Sequence, residues 1–296
     1  MSGQAGDPFE YHFDLRDKAL AAGPRPEAAR AHLQRLTSDA VRANPVSIVQ
    51  FALGTLQLGQ PERLPLVAEV VAWIERTVDS EGRIPYRFAM PHTFRLEPPW
   101  YSALAQGEAT SLLVRAAVAL DSPGLLELAA RVAQPLLDLA SPLVAATAEG
   151  PVLQEYPTEP PAHVLNGWIT ALWGLHDLAR AAGQSTAVTR AAADAFAAGA
   201  RTVAARIERY RLPLAWSRYD LYPHRLPNVA SPFYHRLHVG HLRRLDELAP
   251  DRRLSDVADE WERALRRPLP YAVALTRKAA FRMLVPRHGR GVAFKI

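Results

Sequence analysis

Residues 153–168 read Leu-Gln-Glu-Tyr-Pro-Thr-Glu-Pro-Pro-Ala-His-Val-Leu-Asn-Gly-Trp. A carboxylate and a phenol, Glu155 and Tyr156, stand side by side, and a proline-rich turn leads from them into an apolar helical segment. Upstream, residues 148–151 form a turn sequence between two apolar runs, so residues 140–161 favour a short β-hairpin. The stretch therefore predicts a hairpin that carries polar side chains to the mouth of a helix.

The rest of the chain shows the spacing of amphipathic helices on both sides of this stretch. Asn44 and Pro45 supply an N-cap and a proline at the first helical position, which predicts a helix from about 45 to 58. Further helices are predicted at about 61–78, 100–120, 121–139, 163–181, 185–210, 230–248 and 253–267.

Two irregular, aromatic loops at 83–99 and 211–229 separate these helices, and long loops in compact domains are usually functional. The pairing of successive helices predicts an all-α fold, namely an α/α toroid or partial (α/α) barrel of paired helices with long rim loops and a short β-hairpin. An irregular helical bundle is the alternative.

Composition limits the classes of function. Of 296 residues, 49% are hydrophobic and 22% are charged, which indicates a packed soluble protein. The net charge of +5 comes from arginines spread along the chain, so we expect no nucleic-acid partner but a field suited to an anionic substrate. The chain contains no cysteine, which excludes disulfides, thiolate catalysis and cysteine-bound metals.

Targeting signals are the next feature. Residues 1–17 lack the apolar core of a secretory signal, and no apolar run is long enough for a membrane span. The sequence therefore predicts a cytoplasmic protein without a membrane partner.

Three tyrosines stand in predicted loops or at a helix start: Tyr156, Tyr219 and Tyr234. Their polar neighbours in sequence are Glu155, Arg218, Asp220 and His235. One loop tyrosine is most often a packing residue with a hydrogen-bonded hydroxyl, but three at predicted rim positions indicate a polar site.

His235, His238 and His241 recur every three residues, but no carboxylate ligand motif accompanies them, and we predict no metal site. His235 and His238 are interpreted as site-wall or proton-relay residues, with placement in the core or on the surface as the alternative. Phosphate loops, dinucleotide fingerprints and nucleophile elbows are missing from the sequence. Glu155 paired with Glu159 or Asp220 leaves glycoside hydrolysis open.

Six strings, in this order, resemble the C-terminal catalytic domain of the D-glucuronyl C5-epimerases and together span about residues 44–265. They are Asn44-Pro-Val-Ser-Ile-Val-Gln50, Pro99-Trp-Tyr-Ser-Ala-Leu-Ala-Gln-Gly107, Gln154-Glu-Tyr-Pro-Thr158, Val164-Leu-Asn-Gly-Trp168, Arg218-Tyr-Asp-Leu221 and Tyr234-His-Arg-Leu-His238. The resemblance implies an α/α barrel that inverts C5 of a hexuronate, D-glucuronate to L-iduronate, without a cofactor.

The resemblance also implies residue roles. Glu155, Tyr156, Tyr219 and Tyr234 match the positions that transfer the proton. Each phenol would need a neighbouring Arg or charged His to bring its pKa down from about 10. The expected substrate-binding residues are Tyr101, Gln106, Asn166, Arg87, Arg218, Arg225, His235 and His238. Tyr101 and Gln106 could instead lock helix packing.

Two departures concern substrate choice. Tyr222 stands where the family usually has Arg, and Phe233 where an acidic residue is common. The clamp on the substrate carboxylate is therefore expected at Arg218, Arg225 or Arg87, and a smaller intracellular uronoside is one possible substrate.

The predicted domain division follows from the predicted helices and from the span of the six motifs. Residues 1–43 would be an arm and first helix packed on the body, 44–267 the α/α-barrel catalytic domain, and 268–296 a C-terminal extension of it. The partner is an anionic carbohydrate, and a homodimer is one option for the assembly. The alternatives are a uronate lyase that uses the same C5 carbanion and a catalytically silent carbohydrate-binding homologue.

Overall fold

The structure, a computed structural model, describes residues 9–21, 23–181 and 186–288. Residues 1–8 of the predicted arm, 289–296 of the predicted extension and the predicted helix start at 185 lie outside the described residues. The helices are α1 (Arg16–Leu20), α2 (Pro26–Thr37), α3 (Pro45–Gln57), α4 (Leu64–Thr77), α5 (Ala103–Ala119), α6 (Leu125–Leu137), α7 (Leu165–Ala179), α8 (Ala187–Arg206), α9 (Pro232–Leu248), α10 (Arg252–Leu265) and α11 (Pro268–Leu284).

The described chain is mostly α-helical, as predicted, with two small antiparallel sheets. The predicted hairpin is present as β1 (Val144–Thr147) and β2 (Gly150–Leu153). A second pair, β3 (Arg211–Leu212) and β4 (Trp216–Ser217), lies in a segment predicted to be irregular. The all-α prediction is corrected to that extent, because two-residue strands give no periodic signal in a sequence.

Helix starts follow the capping residues. Asn44 accepts a hydrogen bond from the Ser47 amide at the start of α3, and Ser102 does the same at α5. At α7 the N-cap residue is Val164, whose side chain cannot cap. The first turn of α7 therefore presents amide donors to a group from elsewhere in the chain.

Helices α5 and α7 form the centre of the molecule and are buried around most of their circumference. They cross with their backbones in contact. A Cβ on Gly107 would lie 2.5 Å from the Ala171 Cα, and one on Gly174 would lie 2.6 Å from the Gly107 Cα. Only glycine fits at both positions, so the spacing of the two central helices is fixed by these residues.

The helices around this centre pack in a regular order. Among the described residues, α3, α5, α7 and α9 contact one another in sequence, and each also packs against the helix that follows it, namely α4, α6, α8 or α10. The segments that precede α5, α7 and α9 therefore each lead into one of the helices α3, α5, α7 and α9 that contact one another. No helix within the described ranges combines the length and apolar character needed to cross a bilayer.

The N-terminal segment packs against the far end of α7. Tyr11 and Phe13 contact Trp173, and His12 Nε2 lies 3.0 Å from Asp177 Oδ1. The same carboxylate accepts hydrogen bonds from the Ser111 hydroxyl, at 2.6 Å, and from the Arg115 guanidinium. Since a helix rises 1.5 Å per residue, this cluster lies about 16 Å along α7 from its first turn.

Candidate active site

Glu155 follows the end of β2 by two residues, and its side chain lies against the first turn of α7. Its side chain is buried, with 5% of its surface exposed. The carboxylate accepts a hydrogen bond from the Gly167 amide, and Asn166 Nδ2 lies 3.4 Å from its Oε2. A carboxylate at a helix N-terminus is stabilised by the free amides and by the helix dipole, so Glu155 caps α7 from another part of the chain.

Burial raises the pKa of Glu155 to about 7, and the charge of Asp220 acts in the same direction. Hydrogen bonds from Tyr156 and the Gly167 amide oppose this rise. Because the opposing effects leave the pKa near neutrality, Glu155 can take up or release a proton near neutral pH.

The three tyrosines of the sequence analysis come together beside Glu155. Tyr156 is hydrogen-bonded to Glu155 and to Tyr219, and Tyr219 is also hydrogen-bonded to Tyr234. The rings of Tyr219 and Tyr234 meet edge to face, with centroids 4.8 Å apart. The segments that precede α7 and α9, together with the first turn of α9, thus supply one connected series of four proton-carrying groups.

The pKa values of these phenols correct one expectation. Burial raises the pKa of Tyr156, Tyr219 and Tyr234, and the negative charge of Glu155 raises it further. From the sequence we expect neighbouring cations to lower these pKa values. For Tyr234, desolvation outweighs the lowering effect of Arg287, and Tyr156 and Tyr219 are almost completely buried. All three phenols are therefore protonated near neutral pH.

The predicted long loop at 83–99 forms an aromatic wall against these tyrosines. The His92 ring lies 4.6 Å from that of Tyr156, while Phe94 and Trp100 lie 5.4 and 5.9 Å from it. Burial lowers the pKa of His92 to about 3, and the positive charge of Arg287 adds to the effect. His92 is a neutral wall residue that the sequence analysis noted only as part of an irregular loop.

Beside Tyr219, three polar side chains are linked by hydrogen bonds. Asn228 Nδ2 donates to Asp220 Oδ2, and Lys278 Nζ donates to Asn228 Oδ1 at 2.8 Å. The Lys278 ammonium also lies 5.8 Å from the centre of the Tyr219 ring. Sequence reasoning missed Lys278, since α11 was not predicted and nothing in the local sequence indicates which part of the molecule it meets.

The remaining predicted residues lie in different places. Gln106 is fully buried, and its carboxamide bonds to the backbone of Ile84, Gly82 and Val132, which favours the helix-packing alternative. Tyr101 is half-buried under the Arg83 guanidinium, 4.3 Å from its ring centre. Arg87 and Arg225 are exposed, whereas Arg218 is half-buried.

His235 and His238 lie in the core behind the site, which corrects their interpretation as wall residues. His235 bonds to the Ser217 amide and the Trp261 carbonyl, and His238 Nδ1 lies 2.9 Å from Ser217 Oγ. The reason is helix geometry. Successive helical residues are rotated by about 100°, so the His235 side chain points away from that of Tyr234. His238 lies one turn beyond Tyr234 on α9, and its ring is held in the core by Ser217.

Among the described residues, one group of potential metal ligands lies at the far end of α7, away from the candidate site. His12, His176 and Asp177 offer atoms within 4.8 Å of one another. The Arg115 guanidinium and Ser111 hydroxyl already hold the carboxylate of Asp177, and the Arg115 charge holds its pKa well below the ordinary value. This donor set is that of an ion-pair cluster which docks the N-terminal segment.

Comparison with known proteins gives a consistent result. Residues 78–263 match the family described as D-glucuronyl C5-epimerase C-terminus. A D-glucuronyl C5-epimerase of Caenorhabditis elegans is 33% identical over 179 residues, which is 56% of this chain and 29% of that protein. The matched part includes Glu155 and all three tyrosines, and it extends over more than half of the chain. The chain belongs to the family of the D-glucuronyl C5-epimerase C-terminal domain.

Proposed function

We propose that this chain is a cofactor-independent epimerase that inverts C5 of a hexuronate within an anionic carbohydrate, in the manner of D-glucuronate and L-iduronate. One observation carries the proposal: Glu155, with a pKa of about 7, is hydrogen-bonded into a series with Tyr156, Tyr219 and Tyr234, whose pKa values are raised. Groups whose pKa values are pushed apart are suited to act as base and acid. Because the chain spans 29% of its nematode relative, the activity of that protein is proposed here and not transferred.

We further propose that the helices form an open α/α toroid. The order of contacts supports this arrangement, since α3, α5, α7 and α9 would be the inner helices, and α4, α6, α8 and α10 the outer ones. In such a body the segments that enter the inner helices would lie at one rim. Glu155, Tyr219 and Tyr234 belong to those segments or to the first turn of α9.

The first proton transfer would take place at Tyr156. Its phenolic oxygen would accept the C5 proton while its own proton passes to the Glu155 carboxylate. Glu155 is suited to this role because its pKa lies near 7, so that the carboxylate is available at neutral pH. A tyrosine that acts through a buried carboxylate avoids formation of a free phenolate in an apolar site.

The second transfer would come from the opposite face of the sugar. Tyr234 is the most exposed of the three tyrosines and is protonated, so it would donate its proton to C5 and complete the inversion. The hydrogen bonds from Tyr234 through Tyr219 and Tyr156 to Glu155 would then return the proton taken up by Glu155. The reverse reaction would use the same groups in exchanged roles.

The test is incubation in D2O with a chain of alternating glucuronate and N-acetylglucosamine, followed by NMR and mass spectrometry. Deuterium at C5 and new iduronate signals are the expected result, and Glu155→Gln should lose both. An ultraviolet-absorbing unsaturated uronate would instead indicate the lyase, and new reducing ends without unsaturation a hydrolase. Binding without exchange would indicate a catalytically silent homologue.

A further inference from the structure

Helix α11 brings a cation to the candidate site from beyond the segment that matches the epimerase family. The match ends at residue 263, and α11 begins at Pro268. Lys278 lies in the middle of this helix, and its Nζ is 2.8 Å from Asn228 Oδ1 and 5.8 Å from the centre of the Tyr219 ring. The contact brings a positive charge to one of the proposed proton carriers.

The surroundings of Lys278 differ from those of the exposed basic residues. Arg211 and Arg243, for example, each form ion pairs with two carboxylates. Within the described ranges, Lys278 has a neutral amide as its hydrogen-bond partner and no carboxylate oxygen within 4.0 Å. Its ammonium is half-buried, and the nearby Asp220 carboxylate already accepts a hydrogen bond from Asn228. The charge of Lys278 is therefore not neutralised by direct contact.

Arg287 adds positive charge near the same tyrosines. The segment after α11 is held against the aromatic wall, because the His288 amide donates to the His92 carbonyl at 2.8 Å. From there the charge of Arg287 acts on both His92 and Tyr234. The C-terminal part of the chain thus places two cations, Lys278 and Arg287, near the proton-transfer series.

A hexuronate carries its carboxylate on C5, the carbon whose proton is removed. Removal turns this carboxylate into part of a dianionic enediolate, which forms only if positive charge or hydrogen-bond donors stabilise it. A lysine ammonium supplies three donors and a compact charge. Its position beside Tyr219 meets this requirement for a sugar whose C5 lies between the tyrosines.

We propose that Lys278, assisted by Arg287, binds the carboxylate of the reacting hexuronate and makes the site select uronates over neutral hexoses. This assignment rests on the proposed epimerase function. It adds Lys278 to the expected candidates for the clamp, which were Arg218, Arg225 and Arg87. Lys278 and Arg218 are half-buried, whereas Arg225 and Arg87 are exposed. The C-terminal helix would then be part of the substrate site and not an extension beside it.

The test compares Lys278→Gln and Lys278→Arg with Arg277→Gln, which alters an exposed neighbour on the same helix. The ligands are an octasaccharide of alternating glucuronate and N-acetylglucosamine and its carboxyl-reduced counterpart, in which glucuronate has become glucose. Calorimetry measures both affinities, and thermal melting verifies that each variant is folded. C5 exchange is measured in parallel, with KM and kcat separated.

Wild type and Arg277→Gln should bind the uronate octasaccharide about 10-fold or more tightly than the reduced one, the effect of one charge-assisted hydrogen bond. Lys278→Gln should lose that preference, and Lys278→Arg should keep it. In exchange assays Lys278→Gln should raise KM and lower kcat, because the contact strengthens in the transition state. A preference retained in Lys278→Gln would overturn the assignment.

A pH series gives a second readout. Burial lowers the pKa of Lys278 to about 8, and the charges that face it are those of Asp220, Arg282 and Arg287. The preference of wild type for the uronate should therefore fall above pH 8, whereas that of Lys278→Arg should persist, since guanidinium stays charged. Equal pH dependence in the two proteins would contradict the assignment.

The affinity measurement separates the two proposals. A uronate preference that depends on Lys278, found without any C5 exchange in wild type, would overturn the epimerase and support the carboxylate site. Exchange together with an unchanged preference in Lys278→Gln would support the epimerase and overturn the Lys278 assignment. Failure of wild type to bind either octasaccharide would overturn both.

Discussion

The carboxylate of Glu155 lies directly against the backbone of Gly167 in the first turn of α7. A Cβ on residue 167 would lie 2.5 Å from the Glu155 Cβ and closer still to its Oε2. The glycine therefore lets the buried carboxylate reach the free amides of the helix, and these amides help to set its pKa to about 7. One absent methyl group links the packing of α7 to the proposed acid–base chemistry.

Substitution of this glycine tests the link. Gly167→Ala should displace Glu155 and lower the rate of C5 exchange about 100-fold, the lower end of what a positioned base contributes. Gly240→Ala is the matched control, because a Cβ there meets nothing within 4 Å on an exposed part of α9. It should raise the free energy of unfolding by about 0.5–1 kcal/mol and leave exchange unchanged. Full activity of folded Gly167→Ala would show that the carboxylate position does not matter.

The pKa of Glu155 predicts the pH dependence of the reaction. The folded value of about 7 lies above the ordinary 4.5, so the carboxylate is protonated below pH 7 and available as a base above it. For wild type, kcat/KM should rise through about pH 7 and fall above about 8, where Lys278 loses its charge.

Variants of Glu155 and Tyr156 test this assignment, and a variant of Tyr271 is the control. Glu155→Gln and Tyr156→Phe should each lower kcat about 10²–10⁴-fold, the range for a general acid or base. Tyr271→Phe, on the partly exposed face of α11, should change neither the rate nor its pH profile. A rising limb near pH 7 that survives in Glu155→Gln would assign that limb to another group.

Glu108 gives a prediction for stability. Burial raises its pKa to about 8, the hydrogen bond from Gln50 opposes this, and the charge of Glu155 raises it further. The folded state therefore holds a proton that the unfolded state releases above pH 4.5, and its stabilising contribution is lost as pH rises towards 8.

Glu108→Gln removes the titratable carboxyl group and keeps an oxygen that can accept the hydrogen bond from Gln50. Since one proton corresponds to about 1.4 kcal/mol per pH unit, the variant should lose up to about 2 kcal/mol less stability between pH 6.5 and 8 than wild type. Denaturant unfolding at several pH values measures this. Glu75→Gln, at an exposed position, should behave like wild type, and identical curves for all three proteins would contradict the prediction.

Asp177 should be the most sensitive ion-pair residue for stability. It lies between Arg115 and His12, with 9% of its side chain exposed. Asp177→Asn leaves the Arg115 guanidinium with a neutral partner in a mostly buried place, which should cost about 3 kcal/mol or more. Asp259→Asn breaks an exposed pair with Arg243 and should cost about 0–1 kcal/mol. Chemical denaturation compares the two, and faster hydrogen exchange at residues 9–14 should accompany only the first.

The sequence predicted most of the helices, and the approach of Glu155 to the three tyrosines, for identifiable reasons. Asn44 and Pro45 mark the start of α3 by local capping chemistry, and the observed helix begins at Pro45. The ordered motifs brought Glu155, Tyr156, Tyr219 and Tyr234 into one expected site, and the structure places them in one hydrogen-bonded series.

Properties that depend on tertiary approach were missed. Lys278 meets Asn228 across 50 positions of sequence, and its own helix begins in a proline-rich stretch that did not indicate α11. The pKa values of the tyrosines were expected to fall, whereas burial raises them, because the degree of burial is fixed only when the loops pack. The interpretation of His235 assumed that its side chain faces the same site as that of Tyr234. Successive side chains of a helix point about 100° apart, so His235 faces the core instead.

The central claim is that Glu155 and the three tyrosines exchange the proton at C5 of a uronate. It is tested most directly by a glucuronate-containing chain deuterated at C5, incubated in ordinary water with wild type and with folded Tyr156→Phe. Wild type should release the label and leave hydrogen at C5 of both glucuronate and iduronate, and Tyr156→Phe should release it at least about 100-fold more slowly. Full retention of the label by wild type while it binds the chain would contradict the account.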